Sequence, residues 1–104
     1  MPSRVKRHKD ELSFLKKCTN KQRKDLINSA SSDLVKAIAD IALTAIKGGF
    51  PLNSSQKKKV RSNASTFKQL ATKQRTLKQK KRLLASQRGG SILPLMLSLL
   101  TSIL

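Results

Sequence analysis

The sequence predicts an all-α protein, a small bundle of about four short helices with a basic disordered N-terminal arm and an apolar C-terminal tail. Three observations predict it. Apolar residues recur at intervals of three and four along two long segments, strand-like alternation occurs nowhere, and the breaks fall at Ser/Thr/Asn runs or glycine pairs. The chain divides into 1–18, a basic arm and short apolar turn; 19–88, a basic helical domain; and 89–104, a Gly-Gly junction with an apolar tail. A chain of 104 residues holds one modest core at most.

Met1 to Lys9 has no periodicity and is predicted to be disordered on its own, able to lie along an anion. His8, inside it, has no second ligand at a useful spacing and is read as solvated. Leu12, Phe14 and Leu15 supply one or two helical turns. Thr19 or Asn20 can cap a helix reaching about Ser29 or Ala30. Ser32 and Asp33 then open the clearest helix, Asp33 to Lys47, closed by Gly48-Gly49 where a left-handed C-cap puts glycine. Leu34, Val35, Ile38, Ala39, Ile41, Ala42, Ala45 and Ile46 make this helix apolar nearly all round, leaving Lys36, Asp40, Thr44 and Lys47 as one narrow wet stripe. It is the expected central core helix.

Phe50-Pro51-Leu52 reads as a linker with two apolar anchors, after which Asn53, Ser54 or Ser55 can cap a further helix. Val60, Ala64, Phe67 and Ala71 fall on one face of it, while Lys57, Lys58, Lys59 and Arg61 crowd its first turns against the helix dipole. Local stability therefore does not explain these cations. Ala71 to Arg75 is a polar break, and Thr76 caps a last helix, Leu77 to about Gln87, with Leu77, Leu83 and Leu84 inward and Lys78, Lys80, Lys81 and Arg82 outward. Gly89-Gly90 is expected to end it. The thirteen residues Ile92 to Leu104 reach only ~20 Å as a helix, short of a ~30 Å bilayer core, so they read as an interfacial segment, a plug on protein, or a C-terminal core helix.

Charge decides the class of partner. The chain carries 23 Lys+Arg against 5 Asp+Glu, a formal net charge of +18, and between Lys47 and Gly90 it holds no acid at all. Such a segment repels itself unless an anion neutralises it. The candidate phosphate contacts are Lys57, Lys58, Lys59, Arg61, Lys68, Lys73, Arg75, Lys78, Lys80, Lys81, Arg82 and Arg88. Trp and Tyr are absent, so base stacking is poorly supplied, and lysine outnumbers the arginine favoured for guanine. The expectation is sequence-independent, salt-sensitive binding to double-stranded DNA.

Five carboxylates, one His and one Cys, dispersed over the first 40 residues, make no acid/base pair or nucleophile arrangement, and neither glycine pair has the context of a nucleotide loop. No enzyme activity, metal or cofactor is expected. The lone Cys18 allows no intrachain disulfide, and the N-terminus lacks the apolar stretch of a secretory signal. Lys58-Lys59-Val60-Arg61 fits a short nuclear-import pattern. The rival reading is a membrane-active protein whose basic helices hold anionic lipid while residues 92–104 insert at the interface.

The run Ser86-Gln-Arg-Gly-Gly-Ser-Ile-Leu-Pro-Leu-Met-Leu97 resembles the adenovirus core protein X (mu precursor) family, in which a basic segment ends in Arg-Gly-Gly before an Ile-Leu-Pro-Leu-Leu tail. The layout from Lys21 to Leu100 is also similar to that of small proteins of Maverick/Polinton elements and adintoviruses. This resemblance implies a DNA-condensing virion core protein, placed in the virion and host nucleus; on that reading the apolar tail is expected to tether the DNA to capsid protein or membrane. It also implies cutting by a viral cysteine protease after a Gly-Gly pair, here among Gly89, Gly90 and Ser91. The sequence departs from that family's pattern at Gln87, where the protease prefers an apolar residue, and in being lysine-rich behind a helical domain.

Overall fold

In the computed structural model the described residues are 3–72 and 74–99, with residues 87–92 described by their backbone path alone. They are all-α as predicted, with no strand among them, but they form eight helices rather than four: α1 (Ser3–Arg7), α2 (Lys9–Lys17), α3 (Asn20–Asn28), α4 (Ser32–Ile46), α5 (Ser54–Ser62), α6 (Ala64–Ala71), α7 (Leu77–Ala85) and α8 (Gln87–Ser98). The extra helices come from both termini and from one break in the middle.

α4 is the central helix, packed chiefly on α6 and α1. Ala37, Ile38, Ile41 and Ala42 are fully buried in it. Its ends follow from local chemistry. The Ser31 hydroxyl accepts from the Leu34 N–H at the start. At the end Gly48 takes φ +75°, its N–H donates to Ala45 O and the Gly49 N–H to Thr44 O, the paired bonds of a glycine C-cap. Leu43, opposite the buried face, stays 38% exposed. Phe50 anchors the following linker inside the core.

Three other helices begin with reciprocal caps: Thr19 with Gln22, Asn53 with Gln56, and Thr76 with Gln79. The single helix expected from Asn53 to Ala71 is broken at Asn63. Its Nδ2 donates to the Lys59 carbonyl at 2.8 Å and its own N–H is shared between Lys59 O and Val60 O, so the side chain competes with the helical ladder. Of the predicted face Val60 and Phe67 are nonetheless buried and Ala64 and Ala71 half-buried, while Thr66 and Leu70 are buried beside them.

Both termini correct the expectation. The basic arm is helical across α1, where Val5 is fully buried and Arg4 pairs with Asp33 at 3.2 Å and Asp40 at 3.0 Å. Those acids stand seven residues apart, two turns along one face of α4, which is what one forked guanidinium can bridge. His8 is not solvated: its ring lies between Glu11 and Asp33. α2 buries Leu12 and Leu15 but leaves Phe14 58% exposed.

At the other end α7 stops before the glycine pair, because Ser86 is extended (φ −69°, ψ 161°). Gly89, Gly90 and Ser91 lie within α8 instead of ending a helix. Two glycines in a helix cost roughly 1 kcal/mol each. Burial of Leu93, Met96, Leu97 and Leu99 offsets this, each side chain contributing about 1.5–3 kcal/mol. Over the described residues the apolar tail is thus a core element, packed on α2 and α7. No helix among the described residues is long and apolar enough to cross a membrane.

Arg23 on α3 is buried as well, at 6% exposure. It donates to the carbonyls of Leu15 (3.0 Å) and Cys18 (2.9 Å) and to Asn20 Oδ1 (2.8 Å), filling acceptors that α2 leaves open at its C-terminus.

Candidate nucleic-acid interface

The predicted cations divide among three places. On α5, Lys57, Lys58, Lys59 and Arg61 are all exposed, and Lys68 is exposed on α6. On α7, Lys78, Lys81 and Arg82 stand at i, i+3 and i+4 and therefore share a face. That face meets α3, and the groove between them, about 500 Å³, is lined by Lys24, Asn28, Lys78, Lys81, Arg82, Ala85 and Ser86. Lys24 and Asn28 extend the predicted set. Their i, i+4 spacing put them on one helix face, but nothing in the sequence said that this face meets α7.

Arg75 and Lys80 do not join that surface. They line a second groove with Arg4, Val35, Lys36, Ala39, Asp40, Leu43, Ala71 and Leu77, so Lys80 is half-buried rather than outward. Burial pushes the Lys80 ammonium down from its ordinary range, Asp40 opposes that shift and Lys36 adds to it. Leu77, expected inward, is 38% exposed there. Lys73 and the tail from residue 100 onward lie outside the described residues, and Arg88, Gly89, Gly90 and Ser91 are described by their backbone alone.

The distribution of ion pairs sharpens the contrast between the two halves of the chain. Three ion pairs occur among the described residues, Arg4 with Asp33 and Asp40 and Arg7 with Asp33 at 3.5 Å, and the His8 ring is hydrogen-bonded to Glu11 and Asp33. All of these contacts use side chains of the first eight residues. Three of the five acids of the chain are thereby engaged at one end, and none of these pairs touches a cation of α5, α6 or α7. A basic surface left in this condition gains by replacing its counterions with phosphates.

Phe50 and Phe67 are buried, and exposed Phe14 sits on a groove bordered by Asp10 and Glu11. An acidic border repels a nucleic-acid backbone, so no aromatic of the described residues is placed to stack a base beside phosphate contacts. No group of three or more His, Cys, Asp or Glu among the described residues is placed to hold a metal ion. Comparison with protein-family models, curated proteins and solved structures gives no match to this chain.

Proposed function

We propose that this chain is a non-enzymatic protein that binds and condenses double-stranded DNA without regard to sequence, as a virion core protein acting in the virion and the host nucleus. One observation carries the reading: exposed cations on α5 and a cationic groove between α3 and α7, with the paired acids all engaged by the N-terminal segment. The virion setting rests on the similarity around Lys80 to Leu97 to the adenovirus core protein X family.

Burial of Leu93, Met96, Leu97 and Leu99 favours this reading over lipid insertion, because the segment a membrane-active protein would insert is already used inside. Tethering to capsid protein or membrane through residues 92–104 requires α8 to leave the core. Cleavage at Gly90-Ser91 requires the same stretch of helix to unwind, since proteases take an extended substrate.

The test is duplex binding by the full chain across a salt series. A log-log slope near −0.9 per phosphate contacted is expected, and alanine at Lys57, Lys58, Lys59 and Arg61 should lower its magnitude by up to roughly four units. A slope near zero, or anionic vesicles preferred to duplex at every salt concentration, would end the proposal.

A further inference from the structure

Among the described residues three large apolar side chains are exposed, Phe14, Leu43 and Leu77, and none stands alone. Phe14 lines the groove formed by α2, the end of α3 and the start of α4, where Asp10 and Glu11 form the rim and Leu26 and Leu34 the wall. Leu43 and Leu77 both line the groove between α4 and α7, where Lys36, Arg75 and Lys80 stand at the rim beside Asp40, whose charge is met by Arg4 at 3.0 Å. The two grooves share no lining residue. One is apolar with an acidic edge, the other apolar with a basic edge, and one chain carries both.

We propose that the acidic-edged groove around Phe14 docks the basic-edged groove around Leu43 and Leu77 of a second copy, so that copies join head to tail. The charge pattern selects this pairing. Two acidic-edged grooves repel, as do two basic-edged ones, and only the mixed contact sets Asp10 opposite ammonium and guanidinium groups. Because the contact joins unlike surfaces it does not close on itself by a two-fold axis, and each copy added presents a fresh groove at either end. The +18 charge of each copy opposes the contact in dilute salt. Polyanion, or sulfate near physiological ionic strength, screens that opposition between charges more than about 8 Å apart and affects the closer pairs of the contact less. The inference does not depend on DNA being the physiological polyanion.

The experiment uses the full chain in sulfate without nucleic acid, with mass read by sedimentation or light scattering. Wild type should rise above 11.5 kDa with concentration, without a fixed upper size. Phe14→Lys blocks one groove and Leu43→Asp with Leu77→Asp blocks the other, each by placing a like charge against the partner's edge; these side chains are already exposed, and circular dichroism checks the folds. Each variant alone should remain at one copy, and an equimolar mixture should form a species of two copies that grows no further. Wild type at one copy throughout overturns the proposal. So does association of either blocked variant with itself, which marks a like-with-like contact, and so does a mixture that stays at one copy.

Discussion

The imidazole Nε2 of His8 stands 2.7 Å from Oδ2 of Asp33, tying the turn before α2 to the first turn of α4. Nδ1 faces Glu11 Oε1 at 2.6 Å, so the ring is clasped by carboxylates on both sides. The hydrogen bond to Glu11, then that to Asp33, raises the His8 pKa above its ordinary 6.5, while the bond from His8 lowers that of Asp33 below 3.8. A raised pKa contributes stability that is complete below 6.5 and disappears as pH climbs through the folded value; a lowered carboxyl pKa contributes stability that disappears as pH falls through its own. Thermal melts should therefore show a maximum between about pH 3.8 and 6.5, and His8→Ala should remove the loss on the alkaline side. A His8→Ala melt with the same alkaline slope as wild type would count against this clasp.

The second prediction concerns α8. Leu93 and Met96 are fully buried, so Leu93→Ala or Met96→Ala should each cost about 2–5 kcal/mol in urea unfolding. A segment serving only as a tether would show no change. Truncation at Gly90 likewise removes part of the core and should lower stability by more than either single substitution.

Arg23 gives a third. Arg23→Met keeps much of the buried stem but loses three donors to Leu15, Cys18 and Asn20, and hydrogen bonds from a charged donor contribute about 1.5–3 kcal/mol each at most. A loss of about 2–4 kcal/mol is expected in chemical unfolding. Arg23→Lys should recover only part of it, because an ammonium cannot reproduce the fork.

The glycine pair after α4 offers a paired test. A Cβ at Gly49 would stand 2.6 Å from the Thr44 methyl, whereas one at Gly48 meets nothing within 4 Å but must adopt φ +75°. Gly49→Ala should cost about 1–3 kcal/mol by crowding and be rescued by Thr44→Ser, which removes the methyl. Gly48→Ala should cost about 1–2 kcal/mol through its backbone alone, and Thr44→Ser should leave that unchanged.

For the basic surface, Lys24→Ala with Lys78→Ala tests the groove between α3 and α7. Both side chains are exposed, so the melt should hold while the duplex salt slope falls by about two units. An unchanged slope takes Lys24 and Lys78 out of the phosphate contacts.

What the sequence reveals here is what its own neighbours determine. The α4 helix, its glycine cap and the Thr76 cap depend on residues a few positions apart and could be read, whereas the caps at Thr19 and Asn53 could only be narrowed to Thr19 or Asn20 and to Asn53, Ser54 or Ser55. α1 could not, because Val5 is its one buried side chain and its ion partners, Asp33 and Asp40, are contributed by α4. The fate of the tail was undecided for a similar reason: α8 has no polar stripe to mark a direction, and its coverage by α2 is a fact of topology. The cation list was legible from charge alone. Its division between an open groove and the cleft that holds Lys80 was not, since that depends on how α7 turns against α3 and α4.

α2 and α8 stand near opposite ends of the sequence and yet pack on each other. During synthesis α2 therefore emerges long before the helix that covers it, and the fold cannot close until residues 93–99 have left the ribosome. In that interval the nascent chain is an open polycation beside ribosomal RNA, with its apolar faces uncovered. The hazard lies in the order of synthesis, since the apolar face of α2 stays uncovered until α8 reaches it.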